Sequence, residues 1–179
     1  MTREELGFAL MKSCVIRGEF RLRSGAVSSE YFDKYRFESD PELLGAVAKE
    51  LVRLLPPDTQ AVAGLELGGV PIATAISQRS GIPALFVRKV AKEYGTCRLV
   101  EGGDVRGKSI AVIEDVVTSG GQLLRSAIQL RELGALITAV LCVVDREAGG
   151  RESLTGAGFE FRPLYTFNEL HRLVSAHAG

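Results

Sequence analysis

From residue 60 onward, short apolar runs alternate with segments that have helical periodicity. The strand-like runs are AVAGLE (61–66), PALFVR (83–88), SIAVIED (109–115) and LITAVLCVVD (136–145), with a further strand near Phe159–Leu164. Helices are expected at Pro71–Ser80, from about Gly121 to Leu133, and from about Phe167 onward. Apolar strands joined by helical crossovers form parallel sheets covered on both faces. The pattern therefore predicts an α/β fold with a central, mostly parallel sheet flanked by helices.

The N-terminal part of the chain follows a different pattern. Thr2-Arg-Glu-Glu5 has capping-box spacing ahead of a helix. The run FRLRSGAVSSEYFDKY (20–35) alternates around a Ser-Gly turn and predicts a hairpin, and Asp40-Pro41 begins a second helix. We predict N-terminal helices and a hairpin at 1–58 and an α/β core at 59–179, which together form a single compact unit.

Composition excludes several classes of protein. Lys and Arg number 22 and so do Asp and Glu, so there is no basic excess and no nucleic-acid partner is expected. With 46% hydrophobic and 25% charged residues the chain is globular rather than disordered.

The cysteines and the apolar runs bear on the compartment. The three cysteines (Cys14, Cys97 and Cys142) are widely spaced without a CxxC pair, which favours a reducing compartment over a disulfide framework or a zinc site. The N-terminus lacks the apolar run of a signal peptide, and the longest apolar stretch, at 133–144, is shorter than the roughly 20 residues of a membrane span. We expect a cytoplasmic protein with no membrane partner.

One nucleotide-binding motif occurs in the wrong context. The run GGDVRGKS (102–109) matches the P-loop pattern GxxxxGK[ST]. A P-loop follows a strand and opens a helix, whereas here the GKS leads into the strand SIAVIED and no strand is expected before it. We interpret the run as a polar turn and not as an ATP or GTP site.

A second motif has the context that a phosphate site needs. In IAVIEDVVTSGGQ (110–122) a buried strand ends in two acids, and a loop of small residues then opens a helix. Ligands of parallel sheets bind at the carboxyl ends of strands. The loop offers amides and hydroxyls to one phosphate at a helix N-terminus, while Glu114 and Asp115 can accept hydrogen bonds from two hydroxyls. Together these groups suit a ribose 5-phosphate; the alternative is a capped helix after two solvated acids.

This run resembles the signature that binds 5-phosphoribosyl 1-pyrophosphate (PRPP) in type I phosphoribosyltransferases. FVRKVAKEYG (86–95) resembles the catalytic loop of the orotate phosphoribosyltransferases, FRLRSGAVSSEYFD (20–33) their N-terminal hood, and Val144-Asp145-Arg146 their orotate-contacting turn. Four segments in the right order, within a resemblance from about residue 6 to 175, imply a type I phosphoribosyltransferase-like core with a small hood.

The resemblance implies a set of PRPP-binding residues. They are Arg88, Lys89, Lys92, Tyr94, Glu114, Asp115, Val116, Val117, Thr118, Ser119, Gly120, Gly121 and Gln122. Lys92 and Arg88 are expected to be catalytic, with Lys92 as the main cation. The resemblance also implies that Arg88 and Lys92 serve the neighbouring subunit's site while Lys89 serves its own, which requires a homodimer with shared active sites.

The positively charged residues between 88 and 108 are consistent with a lid over the active site. Residues 89–108 lack clear periodicity, and between 88 and 108 there are six cations and three anions. Loops of that length in a compact domain are usually lids or disordered. A cationic lid can close on pyrophosphate and exclude water; the alternative is an exposed loop rich in lysine and arginine.

The second substrate is expected to be orotate. Arg146 can bind its carboxylate bidentately and Thr118 can hydrogen-bond the base, both at positions that match the family. Tyr31 and Phe32 can stack on the ring from the hood, although each can equally be a structural aromatic of the hairpin.

Three positions depart from the family pattern. Tyr94 replaces a histidine, Arg23 replaces a lysine of the hood, and Gly68 replaces a lysine found in some relatives after the first core strand. Arg23 keeps the charge but not the geometry. With glycine at 68, contacts of the loop 65–69 with pyrophosphate are expected from backbone amides.

We predict transfer of the phosphoribosyl group of PRPP to orotate, which gives orotidine 5′-phosphate and pyrophosphate in pyrimidine (UMP) synthesis. Mg²⁺ is the expected cofactor, held by PRPP and water rather than by direct protein ligands, since it retains several waters in proteins. Two alternatives stay open. A purine phosphoribosyltransferase is disfavoured by the hood and Arg146, and a non-catalytic PRPP sensor is disfavoured by Lys89 and Lys92.

Overall fold

The computed structural model describes residues 1–21, 25, 27–90 and 99–176. The N-terminal elements are α1 (Arg3–Cys14), β1 (Val15–Arg21), β2 (Val27–Phe32), α2 (Tyr35–Glu38) and α3 (Pro41–Val52). The next elements are β3 (Ala61–Leu65), α4 (Gly69–Ser80), β4 (Ala84–Val87), β5 (Val100–Glu101) and β6 (Ser109–Val117). The last are α5 (Gly121–Glu132), β7 (Leu136–Asp145), α6 (Gly150–Gly156), β8 (Phe161–Thr166) and α7 (Phe167–Ala176).

Local chemistry explains the N-terminal elements. The Oγ1 of Thr2 accepts from the N–H of Glu5 at 3.2 Å while the Glu5 carboxylate accepts from the N–H of Thr2 at 2.7 Å, so the predicted capping box is confirmed. Asp40 caps α3 as predicted, accepting from two backbone N–H groups. The hairpin of β1 and β2 is antiparallel, but β1 begins at Val15, earlier than the predicted start at Phe20.

The main sheet has six strands in the order β5-β4-β3-β6-β7-β8. Every pair is parallel except β4 with β5, so the predicted mostly parallel α/β fold is confirmed. The exception corrects one expectation. Residues 89–108 are not all loop, because Val100 and Glu101 pair with β4 and Val105 is buried.

The segment with the P-loop pattern runs from β5 into β6. Ser109 is the first residue of β6, so the prediction that the GKS run leads into a strand rather than a helix is confirmed. The expectation that no strand precedes it was wrong, because β5 ends at Glu101, directly before Gly102. Two residues are too few to show a strand periodicity in the sequence.

Helices cover both faces of the sheet. On one face α1, α3, α4 and α7 share a buried core with the sheet, and on the other face α5 and α6 do so. The hydroxyl of Tyr165 in β8 donates to the carbonyl of Arg3 in α1 at 2.6 Å, which ties the N-terminal helix to the sheet. The division at residue 58 stays a prediction. This packing leaves the carboxyl ends of β3, β6 and β7 at one edge, where the candidate site lies.

Candidate active site

The carboxyl end of β6 carries two acids at the centre of the sheet. β6 lies between β3 and β7, and Ile110–Ile113 are fully buried. Asp115 is 1% exposed, and its N–H donates to Oε1 of Glu114 at 3.0 Å. Because a carboxylate at that depth is costly without partners, its neighbours define the chemistry of the site.

Lys34 is the cationic partner of Asp115. Lys34 lies between β2 and α2, and its Nζ donates a hydrogen bond to Oδ2 of Asp115. Burial lowers the pKa of Lys34, but the charge of Asp115 and the hydrogen bond to it outweigh burial, so the pKa lies above the usual value. The ammonium is therefore charged, and the side chain keeps 29% of its surface exposed.

Two more carboxyl groups face this ion pair. Burial first, and then the charge of Asp115, raise the pKa of Glu38 to about 7 and that of Glu114 well above its usual value. Oε1 of Glu38 is buried and makes no hydrogen bond to any residue that the structure describes. We refer to Lys34, Glu38, Glu114 and Asp115 as the carboxylate cluster. Its oxygens are suited to accept hydrogen bonds from sugar hydroxyls.

The loop between β3 and α4 packs against the same cluster. A Cβ added to Gly68 would lie 1.5 Å from Oδ2 of Asp115 and 2.9 Å from Oε1 of Glu38. No side chain fits at position 68 without moving Asp115. Glu66, the charged residue of the loop, accepts a hydrogen bond from the N–H of Lys89 at 3.1 Å.

After β6, Thr118, Ser119 and Gly120 form the short loop that the sequence predicted. Gly120 has a φ of 72°, which favours glycine, and a Cβ there would lie 3.1 Å from the Cα of Gly150. Thr118 and Ser119 are exposed. The first amides of α5, from Gly121 onward, have no acceptor within the helix and lie at its positive end. The loop therefore exposes two hydroxyls next to a helix N-terminus, as the phosphate hypothesis requires, and the binding roles of residues 116–122 stay predictions.

Arg88 and Lys89 follow β4 beside the β3–α4 loop. The Nε of Arg88 lies 3.3 Å from Oε1 of Glu101, and its side chain is 36% exposed. Arg88, Glu66 and Glu101 supply the charged groups around a cavity of about 160 Å³ whose lining is completed by Val70, Phe86 and Val87. Lys89 is exposed. Both predicted cations thus stand at the loop that packs on the carboxylate cluster.

Arg146 lies at the adjacent strand end. Val117 of β6 pairs with Asp145 of β7, and the N–H of Arg146 donates to the carbonyl of Val117 at 2.8 Å. The guanidinium lies 3.7 Å from the ring centroid of Phe167 and is half-buried, and this burial lowers the pKa of Arg146 from its usual value. Arg146 therefore stands beside the loop that begins at Thr118, as the two predicted orotate contacts require.

The two hood aromatics are in different environments. Phe32 is 7% exposed and contacts Phe167 edge-on at 6.3 Å, whereas Tyr31 is 45% exposed and lies 5.5 Å from Phe20. Successive residues of a strand point to opposite faces, so the two rings cannot both stack on one ligand from β2. Phe32 is joined to Arg146 through Phe167; the stacking roles of both aromatics stay predictions.

Four of the residues discussed above lie outside the described residues: Arg23, Lys92, Tyr94 and Cys97. Two residues of the carboxylate cluster, Lys34 and Glu38, were missed by the sequence reasoning. Lys34 and Asp115 are 81 positions apart, and no motif links them. A lysine directly after a hairpin is by itself typical of a solvated turn.

Two further properties concern metals and membranes. Within residues 1–21, 25, 27–90 and 99–176, no group of three or more His, Cys, Asp or Glu has an arrangement that could hold a metal ion. In the same part of the chain, none of the helices has the length and apolar character needed to cross a lipid bilayer.

Comparison with known proteins places this geometry in a family. Residues 41–170 match the family model of the phosphoribosyl transferase domain. An orotate phosphoribosyltransferase of a Nocardioides species is 53% identical over 165 residues, which are 92% of each chain. The crystal structure of orotate phosphoribosyltransferase from Aeropyrum pernix superposes with a TM-score of 0.84 at 31% identity, covering 97% of this chain and 99% of that one.

A ligand complex is also similar. The Mycobacterium tuberculosis orotate phosphoribosyltransferase in complex with PRPP superposes with a TM-score of 0.81 at 30% identity, covering 94% of this chain and 98% of that one. Sequence and fold agree over nearly the whole length of the chain. The chain belongs to the phosphoribosyltransferase family and, within it, to the orotate phosphoribosyltransferases.

Proposed function

We propose that the protein transfers the phosphoribosyl group of PRPP to orotate, giving orotidine 5′-phosphate and pyrophosphate. A ring nitrogen of orotate forms a bond to C1 of the ribose and releases its proton to water, while the bond from C1 to the pyrophosphate oxygen breaks and the electron pair leaves with pyrophosphate. Orotate and PRPP are the substrates named by the relatives and by the PRPP complex.

One observation carries the proposal. The hydrogen bond from the N–H of Arg146 to the carbonyl of Val117 joins the end of β7 to the end of β6. It sets a guanidinium that suits a carboxylate beside the loop that suits a phosphate and the acids that suit hydroxyls. A substrate with a carboxylate and a substrate with a ribose phosphate can therefore meet at this edge of the sheet.

The two ends of the ribose are bound by different chemistry. The 5-phosphate would accept hydrogen bonds from the amides and hydroxyls of the loop 118–120 and from the first amides of α5. The 2- and 3-hydroxyls would donate to Glu114 and Asp115. Two anchors on a rigid strand end fix the position of C1 and reduce the entropic cost of reaching the transition state.

The pyrophosphate would be stabilised by cations as it leaves. Arg88 and Lys89 stand at the end of β4, and Lys92 follows them in sequence. Positive groups aimed at the developing negative charge lower the barrier most when water is excluded. Arg88 is held by Glu101 and must exchange this partner for phosphate oxygens to take part.

The donor set is compatible with magnesium. Glu38, Glu114 and Asp115 offer hard oxygen donors of the kind Mg²⁺ prefers, and Oε1 of Glu38 has no hydrogen-bond partner among the described residues. These residues would hold the ion indirectly, through ribose hydroxyls and water. When bound, the ion would neutralise charge on the pyrophosphate and so make it a better leaving group.

We also propose a cytoplasmic homodimer with shared sites. Burial raises the pKa of the Cys14 thiol to about 12 and that of Cys142 well above its usual value. Both are free and buried, so they are inert small core residues that suit a reducing compartment.

The proposed homodimer rests on the family resemblance, in which Arg88 and Lys92 serve the neighbouring subunit's site and Lys89 serves its own.

A substrate panel tests the proposal. The protein with Mg²⁺ and PRPP is mixed with orotate, uracil or hypoxanthine, and loss of the base is followed by its absorbance. We expect turnover with orotate and at least about 100-fold lower kcat/KM with uracil, which lacks the carboxylate that Arg146 would bind. Turnover with uracil or hypoxanthine but not orotate would contradict the substrate assignment.

A further inference from the structure

The ammonium of Lys34 has an unusual position for a lysine that serves only as a counter-ion. It contacts Oδ2 of Asp115, the same oxygen that would lie 1.5 Å from a Cβ on Gly68. Lys34 thus stands at the junction of the carboxylate cluster and the β3–α4 loop. In the described part of the chain its ammonium makes a single hydrogen bond and lies 5.2 Å from the ring centroid of Tyr35, so it has donor capacity left for a ligand.

The covalent structure of PRPP says which group would reach this junction. The pyrophosphate is attached to C1, next to the carbon that bears the 2-hydroxyl, while the 5-phosphate is at the other end of the sugar. If Asp115 and Glu114 accept from the hydroxyls and the loop 118–120 holds the 5-phosphate, the pyrophosphate leaves the sugar on the side of Lys34 and Gly68.

Charge balance at this junction requires a cation. Glu38, Glu114 and Asp115 bring three carboxyl groups together, and the charged side chain of the β3–α4 loop is that of Glu66. Gly68 cannot be replaced by a longer residue without displacing Asp115. An approaching pyrophosphate would meet the negative charge of Asp115 unless Lys34, which is paired with it, offsets that charge.

We propose that Lys34 binds the pyrophosphate of PRPP, exchanging part of its contact with Asp115 for phosphate oxygens as the ribose hydroxyls take up that carboxylate. This inference rests on the proposed function. It assigns to the segment after the hood hairpin the positive charge that the β3–α4 loop lacks.

Calorimetric titration with three ligands in the presence of Mg²⁺ tests this role. The ligands are PRPP, pyrophosphate and ribose 5-phosphate, and the variants are Lys34→Met and Lys34→Arg. The matched control is Arg36→Met, because Arg36 lies two residues after Lys34 in α2, paired with Asp33 at 3.5 Å and about half exposed. Thermal unfolding of each variant shows that it is folded before titration.

We expect Lys34→Met to weaken PRPP and pyrophosphate at least about 10-fold while ribose 5-phosphate changes less than about 3-fold, because a charge-assisted hydrogen bond to phosphate is lost. Lys34→Arg should restore most of the affinity, and Arg36→Met should match the wild type. Unchanged PRPP affinity in Lys34→Met would overturn the proposal. An equal loss for ribose 5-phosphate would also overturn it, since Lys34 would then act through Asp115. If the wild type itself binds no PRPP, the proposed function fails instead.

Discussion

The side chains of Lys34 and Asp115 form a hydrogen-bonded ion pair although they are 81 positions apart in the sequence. The pair connects the segment after the hood hairpin to the tip of the central strand. Because Asp115 is 1% exposed, this contact sets the charge at the point where the ribose hydroxyls are proposed to bind. The two members of the pair act in opposite directions on the neighbouring carboxyl groups: Asp115 raises the pKa of Glu38 and Glu114, and Lys34 lowers it.

Glu38 makes stability depend on pH. Its usual pKa of 4.5 rises to about 7 in the folded protein, chiefly through burial and then through the charge of Asp115, while Lys34 opposes the rise. Between these values the folded protein holds a proton that the unfolded chain has lost, so its stability falls as the pH rises through this window. We expect Glu38→Gln to raise the free energy of unfolding by about 1–2 kcal/mol at pH 8, with no gain near pH 4. Urea unfolding across this range measures the difference, and parallel pH profiles for both proteins would contradict it.

Gly68 is predicted to be intolerant of any side chain. A Cβ at this position would overlap the Asp115 carboxylate, so Gly68→Ala should displace it, destabilise the fold by about 1–3 kcal/mol and lower kcat/KM for PRPP about 10-fold or more. Gly45→Ala is the matched control, because nothing lies within 4 Å of its added Cβ in α3. That variant should gain about 0.5–1 kcal/mol with unchanged kinetics. Equal behaviour of the two variants would show that the packing of Gly68 on Asp115 is unimportant.

Arg146 is predicted to determine affinity for orotate. The guanidinium lies on Phe167, and a lysine there keeps the charge but loses the planar, bidentate geometry. We expect Arg146→Lys to raise the KM for orotate at least about 10-fold and to change the KM for PRPP less than about 3-fold. Arg131→Lys is the control, since Arg131 lies 4.5 Å from the ring of Phe159 at the far end of α5. A KM for PRPP that rises as much as that for orotate would rule out this division of roles.

Sharing of sites between subunits predicts complementation. In a mixed dimer of Lys92→Ala with Asp115→Asn, one site would carry both substitutions and the other neither. Random mixing makes half of the dimers mixed, so two nearly inactive variants should together recover about a quarter of wild-type activity. Activity of the mixture is compared with that of each variant alone at equal total concentration. A mixture no more active than the average of its components would mean that each subunit supplies its own Lys92.

Sequence predicted the parts of the fold that local chemistry determines. The buried strands are continuous apolar runs, and the capping box at Thr2 and the cap at Asp40 mark helix starts unambiguously. β5 and α2 were not predicted because two or four residues show no periodicity. Short elements of this kind depend on contacts made by distant parts of the chain.

The candidate site likewise has a part that the sequence predicted and a part that it did not. The loop 118–120 and the acids before it are contiguous, so their spacing alone indicated a ribose phosphate. Lys34 and Glu38 join them through the packing of α2 and its flanking residues against α1 and α3, which no local pattern encodes. The burial of Phe32 likewise depends on its contact with Phe167, which is remote in sequence.

The most direct test of the central claim is the stoichiometry of products. The protein is incubated with Mg²⁺, orotate and an excess of PRPP, and orotate, orotidine 5′-phosphate, pyrophosphate and ribose 5-phosphate are quantified by phosphorus NMR and mass spectrometry. We predict that each orotate consumed yields one orotidine 5′-phosphate and one pyrophosphate, with little ribose 5-phosphate. Loss of PRPP to ribose 5-phosphate while orotate stays unchanged would contradict phosphoribosyl transfer to orotate at this site.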